Sequence, residues 1–299
     1  MSIIPLIQCV SIVYISKFTI DLDFKSQSYA TLPSMILSFI IGYILLLFDF
    51  GIYALLFQII FNKFLNTILL LIISNWYPSK YFNIYCIFPL FNFGYKVLLA
   101  SLLQSFYHNS FNIFIGLNYS SAKVAFFDQA SQLSRIPSIN GMAIISRAVF
   151  PYICDYKNTL LNKKLYYHNY LNYTFFLIFP LLAILATLSY DIVELFFNEE
   201  WQLMSEYLFL LFIAYSITPI MVVNNQFLLS EGRSDLFLYA EIIKKLIGFT
   251  ILYFTLPHGI FYVCVGVIVY NIFDCLVSSY YVSRILFIST LNQLKPIFP

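Results

Sequence analysis

PSMILSFIIGYILLLFDFG (Pro33–Gly51) runs directly into IYALLFQIIFNKFLNTILLLIIS (Ile52–Ser74), and these two adjoining stretches decide the fold. Each approaches or exceeds the roughly 20 apolar residues that an α-helix needs to cross the hydrocarbon of a bilayer. Both are far longer than the 4–8 residues of a strand. Asp49-Phe50-Gly51 leaves room only for a tight turn, so the reading is two neighbouring helices that cross in opposite directions at 33–50 and 52–75.

Working outward, further apolar runs predict crossings at roughly 88–117, 125–153, 166–190, 204–230, 237–256 and 260–283. The stretch from Ser2 to Ser16 is apolar but short, has no basic leader and no small-residue cleavage motif, and so makes a poor signal peptide. It reads as the last half of a helix at 3–16 whose beginning is missing. Leu256-Pro257-His258-Gly259 predicts another tight turn. In Glu231-Gly232-Arg233-Ser234-Asp235, Gly232 suits the position just past a helix end, and Ser234 or Asp235 suits the cap of the next helix. The expected fold class is an all-α polytopic membrane protein with about eight full crossings and one partial.

Composition agrees. The 299 residues are 61% hydrophobic and only 10% charged, with a mean hydropathy of +0.83, whereas soluble domains carry about 25% charged residues. No folded extramembrane domain fits between the spans. A net charge of +2 without a basic run gives no reason to expect nucleic acid as a partner. Cys9, Cys86, Cys154, Cys264 and Cys275 form no paired motif and are expected as isolated thiols packed like small hydrophobes.

Alternate loops differ in charge. Lys17, Lys25, Lys80, Arg147, Lys157, Lys163, Lys164, Arg233, Arg284 and Lys295 fall on one side, ten of the sixteen basic residues. The other side holds Lys123 with Asp49, Asp191, Glu194, Glu199, Glu200 and Glu206. The positive-inside rule puts the basic side and the C-terminus in the cytoplasm. Trp76 and Trp201 fall at span ends, where indole favours the interface.

Several charges lie inside the spans: Lys63, Lys96, Arg135, Glu241, Lys244, Lys245 and Asp274, with Asp128 near an outer end. Each ionised group at mid-bilayer costs at least about 2.5–3.5 kcal/mol, so they call for a protein interior or a wet cavity. Polar residues recur at helical spacing in five spans: Gln58, Asn62 and Asn66; Ser101, Gln104, Ser105, His108 and Asn112; Asp128, Gln132 and Arg135; Glu241, Lys244 and Lys245; Asn271, Asp274 and Ser278. Glu241 four residues before Lys245 is the favourable order for an ion pair. Two readings stand side by side: hydrogen-bonded contacts between helices, or the lining of a cavity. Arg135-Ile136-Pro137 and Thr218-Pro219 place helix breakers beside polar residues, where bends around a cavity would be useful. The sequence has no phosphate-binding loop, hydrolase elbow, zinc motif or Cys/His cluster, so neither catalysis nor a cofactor is expected.

LSEGRSDLFL (Leu229–Leu238) followed by EIIKK (Glu241–Lys245) resembles a stretch of bacterial polysaccharide biosynthesis flippases of the Wzx type. ISRAVFP (Ile145–Pro151), SQLSRIP (Ser131–Pro137), LDFK (Leu22–Lys25) and Glu200-Trp201 are similar to further segments of that family, in the same order. The resemblance implies the multidrug/oligosaccharidyl-lipid/polysaccharide exporter fold, two six-helix lobes around a central cavity. On that map residues 1–80 are a remnant of the first lobe (the end of helix four, then helices five and six). Residues 88–285 are the complete second lobe, helices seven to twelve, and 286–299 form a cytoplasmic tail. The chain would then be an N-terminally truncated flippase in the bacterial plasma (inner) membrane.

The implied cargo is an oligosaccharide on polyprenyl diphosphate, turned from the inner to the outer leaflet. Its partners would be the lipid bilayer and other membrane proteins of glycan assembly. Arg135, Lys244 and Lys96 are candidates for the anionic diphosphate, and Gln104, Asn112, Gln132 and Asn225 for sugar hydroxyls. A drug or cation antiporter of the same superfamily is one alternative, disfavoured because intramembrane cations outnumber acids. A glycan polymerase or ligase would need a larger outer loop than the acidic stretch of about 15 residues near Glu199. An inactive fragment of a flippase is the remaining alternative.

Overall fold

A computed structural model describes residues 3–74, 76–77, 84–155, 160–288, 290 and 293. Lys80, Lys157 and Lys295 lie outside the described residues, as do the side chains of Cys86 and Cys154 and most of the tail. The described residues form helices and connecting turns without a strand, and the chain divides into two compact units, Met1–Phe82 and Asn83–Pro299.

The first unit contains α1 (Ile3–Ile20), α2 (Phe24–Leu47) and α3 (Ile52–Ser74). The helix at the N-terminus is four residues longer than the half-span expected at 3–16. The second begins nine residues before Pro33 because Asp23 caps it, its carboxylate accepting the Ser26 N–H at 3.0 Å. Hydrogen bonding to Ser26, from its hydroxyl first and then from its N–H, holds the Asp23 carboxyl below its ordinary range. Polar residues in the first turns conceal this start from a hydropathy reading.

Positive φ at Asp49 (61°) and Gly51 (53°) makes the α2–α3 turn. Along α2, Ala30, Ser34, Ser38 and Gly42 bury every fourth position, a small-residue stripe that lets α3 approach closely. A methyl group at Gly42 would come within 2.8 Å of the Gln58 amide oxygen and 3.1 Å of its Cβ, so the Gln58 side chain packs closely over the glycine. Asn62 donates to the Ser38 hydroxyl at 3.1 Å across the same seam. Leu37, Phe39 and Leu47 point outward and exposed, as suits a surface solvated by lipid. Trp76 packs edge-on to Tyr14 beneath the Lys17 ammonium.

The second unit contains α4 (Ile84–Asn118), α5 (Ser121–Arg135), α6 (Gly141–Asp155), α7 (Leu160–Thr187), α8 (Ser189–Phe196), α9 (Leu203–Tyr215), α10 (Thr218–Ser230), α11 (Ser234–Thr255) and α12 (Ile260–Leu286). A π-helical turn at Ile136–Asn140 joins α5 to α6, so the expected crossing at 125–153 is one rod from 121 to 155 with a wide turn starting just after Arg135. Its Pro137 cannot donate to the preceding turn, and the wider register accommodates that loss. The span expected at 204–230 bends by 42° where Ser216 and Ile217 separate α9 from α10, beside Pro219.

The turn into α11 shows Gly232 at φ 71°, as expected, but the helix is capped by Arg233, one residue before the expected Ser234. The stretch expected as an outer loop after 190 contains α8, an amphipathic helix that buries Val193.

Among the described residues, five helices are long and apolar enough to cross a membrane (α2, α3, α4, α7 and α12), and the bent α9–α10 pair, taken as one span, makes a sixth. The two remaining expected crossings, 121–155 and α11, are helices of comparable length that carry charge. Those two, with α4, α9 and α12, build the polar interior.

Candidate functional site

On α5, Ser131 and Gln132 lie three and four residues after Asp128, and four and three before Arg135, so a single face of that helix is polar over two turns. This face lines a cavity of about 210 Å³. From α4 come Tyr107, His108, Phe111 and Asn112; from α9, Leu211 and Tyr215; from α12, Tyr270 and Asn271.

Asn112 Nδ2 donates to Asp128 Oδ1 at 2.7 Å, and Gln132 Nε2 to Asp128 Oδ2 at 2.7 Å. The carboxylate is thus held from both α4 and its own helix. Phe111 and Phe127 stack in parallel at 5.9 Å beside it. Among the described residues no carboxylate pairs with Arg135.

Asn271 also mends the helix break behind the cavity. It donates to the Ala214 carbonyl at 2.7 Å, in the last turn of α9, where the bend toward α10 interrupts the hydrogen-bond ladder. A cavity residue on α12 thereby holds the bend of its neighbour.

Behind the wall formed by Tyr107 and Tyr270 lies a second polar group of different construction. Glu241, Lys244 and Lys245 on α11 meet Asp274 and Tyr270 on α12. Lys244 pairs with Glu241 and with Asp274, the latter at 3.1 Å. Lys245 pairs with Glu241 at 3.4 Å and donates to the Tyr270 hydroxyl at 2.6 Å, which donates to Asp274 at 3.3 Å. The five groups close into a ring of two cations, two anions and one phenol. The Lys244 side chain has no exposed surface and that of Glu241 only 3%. Lys245 also lies 4.8 Å from the ring centre of Tyr107 and 5.2 Å from that of Tyr270, so it holds both aromatic walls of the cavity. Tyr107 fits because position 248 on α11 is glycine: a methyl group there would sit 2.7 Å from its ring carbons.

Of the residues singled out from sequence, the structure brings Asn112, Gln132 and Arg135 together in the cavity. Lys244 is instead enclosed in the ion ring. Lys96 is half-buried beside the ring of Tyr95, and Gln104 is exposed on α4; neither lines the cavity. Asn225 on α10 is also elsewhere, its side-chain oxygen buried without a hydrogen-bond partner. The expected ion pair of Glu241 with Lys245 is present, and Asp274 finds a lysine. On α11 and α12 two lysines pair with two acids, so the excess of intramembrane cations rests on Lys63, Lys96 and Arg135.

The aromatic walls were not singled out from sequence. With 25 tyrosines and 33 phenylalanines, periodicity could not choose Tyr107, Phe111 or Tyr270 from the rest.

Toward the other end of the same unit, Asn224 links α10 to Tyr167 on α7 and to Ser279 on α12, the latter at 3.0 Å. Gln293, from the C-terminal stretch, reaches the same Tyr167 hydroxyl at 3.0 Å. Every buried amide and hydroxyl named here has a partner, and this group reads as helix-to-helix attachment.

Residues 1–206 match the sequence profile of a family described as polysaccharide biosynthesis protein. The chain is similar to the teichuronic acid biosynthesis protein TuaB of Bacillus subtilis (strain 168), with 28% identity over 171 residues. The aligned stretch is 56% of this chain and 34% of that relative, so the chain matches about a third of the relative's length. No solved structure matches.

Proposed function

The chain belongs to the polysaccharide biosynthesis protein family, and from that premise we propose that it takes part in transport. It turns an oligosaccharide linked to polyprenyl diphosphate across the plasma membrane of a bacterium. On this reading residues 88–285 are the second lobe of an exporter, residues 1–80 belong to the first, and the basic loops and C-terminus face the cytoplasm. It moves its cargo without making or breaking a covalent bond.

The observation that carries the proposal is the cavity on α5. It combines a guanidinium with no carboxylate partner among the described residues, a fixed carboxylate with two amides, and aromatic walls inside a protein of the membrane. A glycan linked to a lipid diphosphate presents the matching groups. Its anion needs a cation where hydrocarbon would otherwise surround it, its hydroxyls need acceptors and donors, and its ring faces stack on aromatic rings. The fit rests on Arg135, Gln132 and Asn112, with Lys244 committed to the ion ring.

The test is glycan export in cells that depend on this protein. Arg135→Ala is expected to abolish export while the protein remains in the membrane at its normal level. Normal export by that variant would remove Arg135 from the mechanism.

A further inference from the structure

The two ends of the cavity have opposite chemistry, and this fixes what each can hold. A carboxylate is an acceptor only, so the amides bonded to Asp128 must turn their NH2 groups toward it. Each amide spends one N–H on the carboxylate and keeps a carbonyl oxygen and a second N–H. The Asp128 end therefore offers acceptors from three side chains with one spare N–H on each amide, carries negative charge, and has the stacked Phe111 and Phe127 alongside. Arg135 lies seven residues on, about 10 Å along the helix axis, and offers only donors and positive charge.

We propose that the Asp128 end is a subsite for an uncharged sugar ring, which donates its hydroxyls to Asp128, Asn112 and Gln132 and rests a face on the phenylalanines. The anionic part of the cargo is confined to the Arg135 end. The subsite selects against a ring carrying its own carboxylate, because a second negative charge beside Asp128 is repelled in a partly desolvated pocket. This inference rests on the transport reading above and adds to it the charge of one sugar unit and its place relative to the anion.

The experiment measures binding to the purified full chain in lipid nanodiscs by saturation-transfer difference NMR. The probes are methyl β-glucopyranoside, β-galactopyranoside and α-mannopyranoside, each against the corresponding methyl uronide, in which a carboxylate replaces the C6 hydroxymethyl group. At least one neutral glycoside is expected to bind about tenfold tighter than its uronide, the discrimination that one like charge at this separation supplies. Asp128→Asn is expected to bring that ratio close to one. Asn112→Ala keeps the charge, weakens neutral binding and preserves the ratio, which separates loss of the acceptor array from loss of the charge.

Equal or tighter binding of the uronides by the unaltered protein, no binding of any glycoside, or an unchanged ratio in Asp128→Asn would each overturn the subsite. The export assay on Arg135→Ala reads the other end of the cavity, so the failure of one proposal is distinguishable from the failure of the other.

Discussion

The α5 cavity and the α11–α12 ion ring are built from similar residues and stand on opposite sides of Tyr107 and Tyr270, yet their electrostatics differ in kind. In the ring every charge has an opposite charge in contact, the Tyr270 hydroxyl bridges Lys245 to Asp274, and the side chains of Lys244 and Glu241 are sealed from solvent. In the cavity Asp128 is fixed by neutral amides and Arg135 has no carboxylate partner among the described residues. A saturated set of charges has nothing left with which to bind a ligand, so it serves to hold helices. An unsaturated set is costly in a membrane and is explained by something that comes to complete it. Lys245 connects the two, because the cation that completes the ring also holds the aromatic walls of the cavity.

The comparison is broken most strongly from inside the ring. Lys244→Met leaves Glu241 and Asp274 buried without their shared cation, and removing one partner of a buried pair costs about 3–5 kcal/mol. The expected outcome is loss of most folded protein from the membrane and a greatly lowered melting temperature in detergent. Adding Glu241→Gln to Lys244→Met should recover part of the loss, since one stranded anion is then gone. A Lys244→Met protein as stable as the original would show that the ring is not a structural element.

Gly248→Ala comes next. Its methyl group would overlap the ring of Tyr107, and overpacking of this kind costs about 1–3 kcal/mol. The same shift displaces a cavity wall, so export should fall as well. Pairing it with Tyr107→Leu should restore stability without restoring export. Recovery of both would separate Tyr107 from the cavity's work.

Much of the fold is legible in the sequence because hydropathy and turn chemistry are local. The two crossings at 33–50 and 52–75, the turn at Gly51, the wide turn beside Pro137 and the break beside Pro219 follow from residues within a turn or two of each other. The start of α2 and the whole of α8 are less legible, because an amphipathic or polar first turn looks like a loop when only mean hydropathy is read. The site is half legible for a related reason. The spacing of Asp128, Gln132 and Arg135 marks one polar face, and that face does line the cavity. Spacing cannot distinguish a polar face turned toward a cavity from one turned toward another helix. Lys244 and Arg135 are both mid-span cations in sequence, and only the rotation of α11 against α12 commits Lys244 to Asp274, thirty positions away. The pair at Glu241 and Lys245 was readable because both residues lie on one helix.

The half-exposed pair of Lys163 and Glu231 sharpens the contrast by repeating the chemistry of the ring in wetter surroundings. Lys163 bonds both carboxylate oxygens of Glu231, at 2.7 and 2.9 Å, with side-chain exposures of 29% and 21%. Ion pairs near solvent contribute about 0–1 kcal/mol. Glu231→Gln should therefore lower the melting temperature slightly, and the difference should shrink in high salt, which screens accessible charges more than enclosed ones. A loss as large as that of Lys244→Met would mean that burial is not what separates the two sites.

The smallest effect on stability is expected where the effect on function is greatest. Arg135 is half-buried and has no carboxylate partner among the described residues, so its charge is partly desolvated and receives little in return from the protein. Arg135→Ala should change folding stability by about 0.5 kcal/mol or less, with a neutral or slightly stabilising sign, because it removes an unpaired cation and leaves no acid stranded. Melting temperatures of both forms in the same detergent would check this. A large destabilisation would mean that Arg135 has a structural partner, and the cavity would then resemble the ring. The two regions differ in function only if the charge that transport needs is one that folding does not.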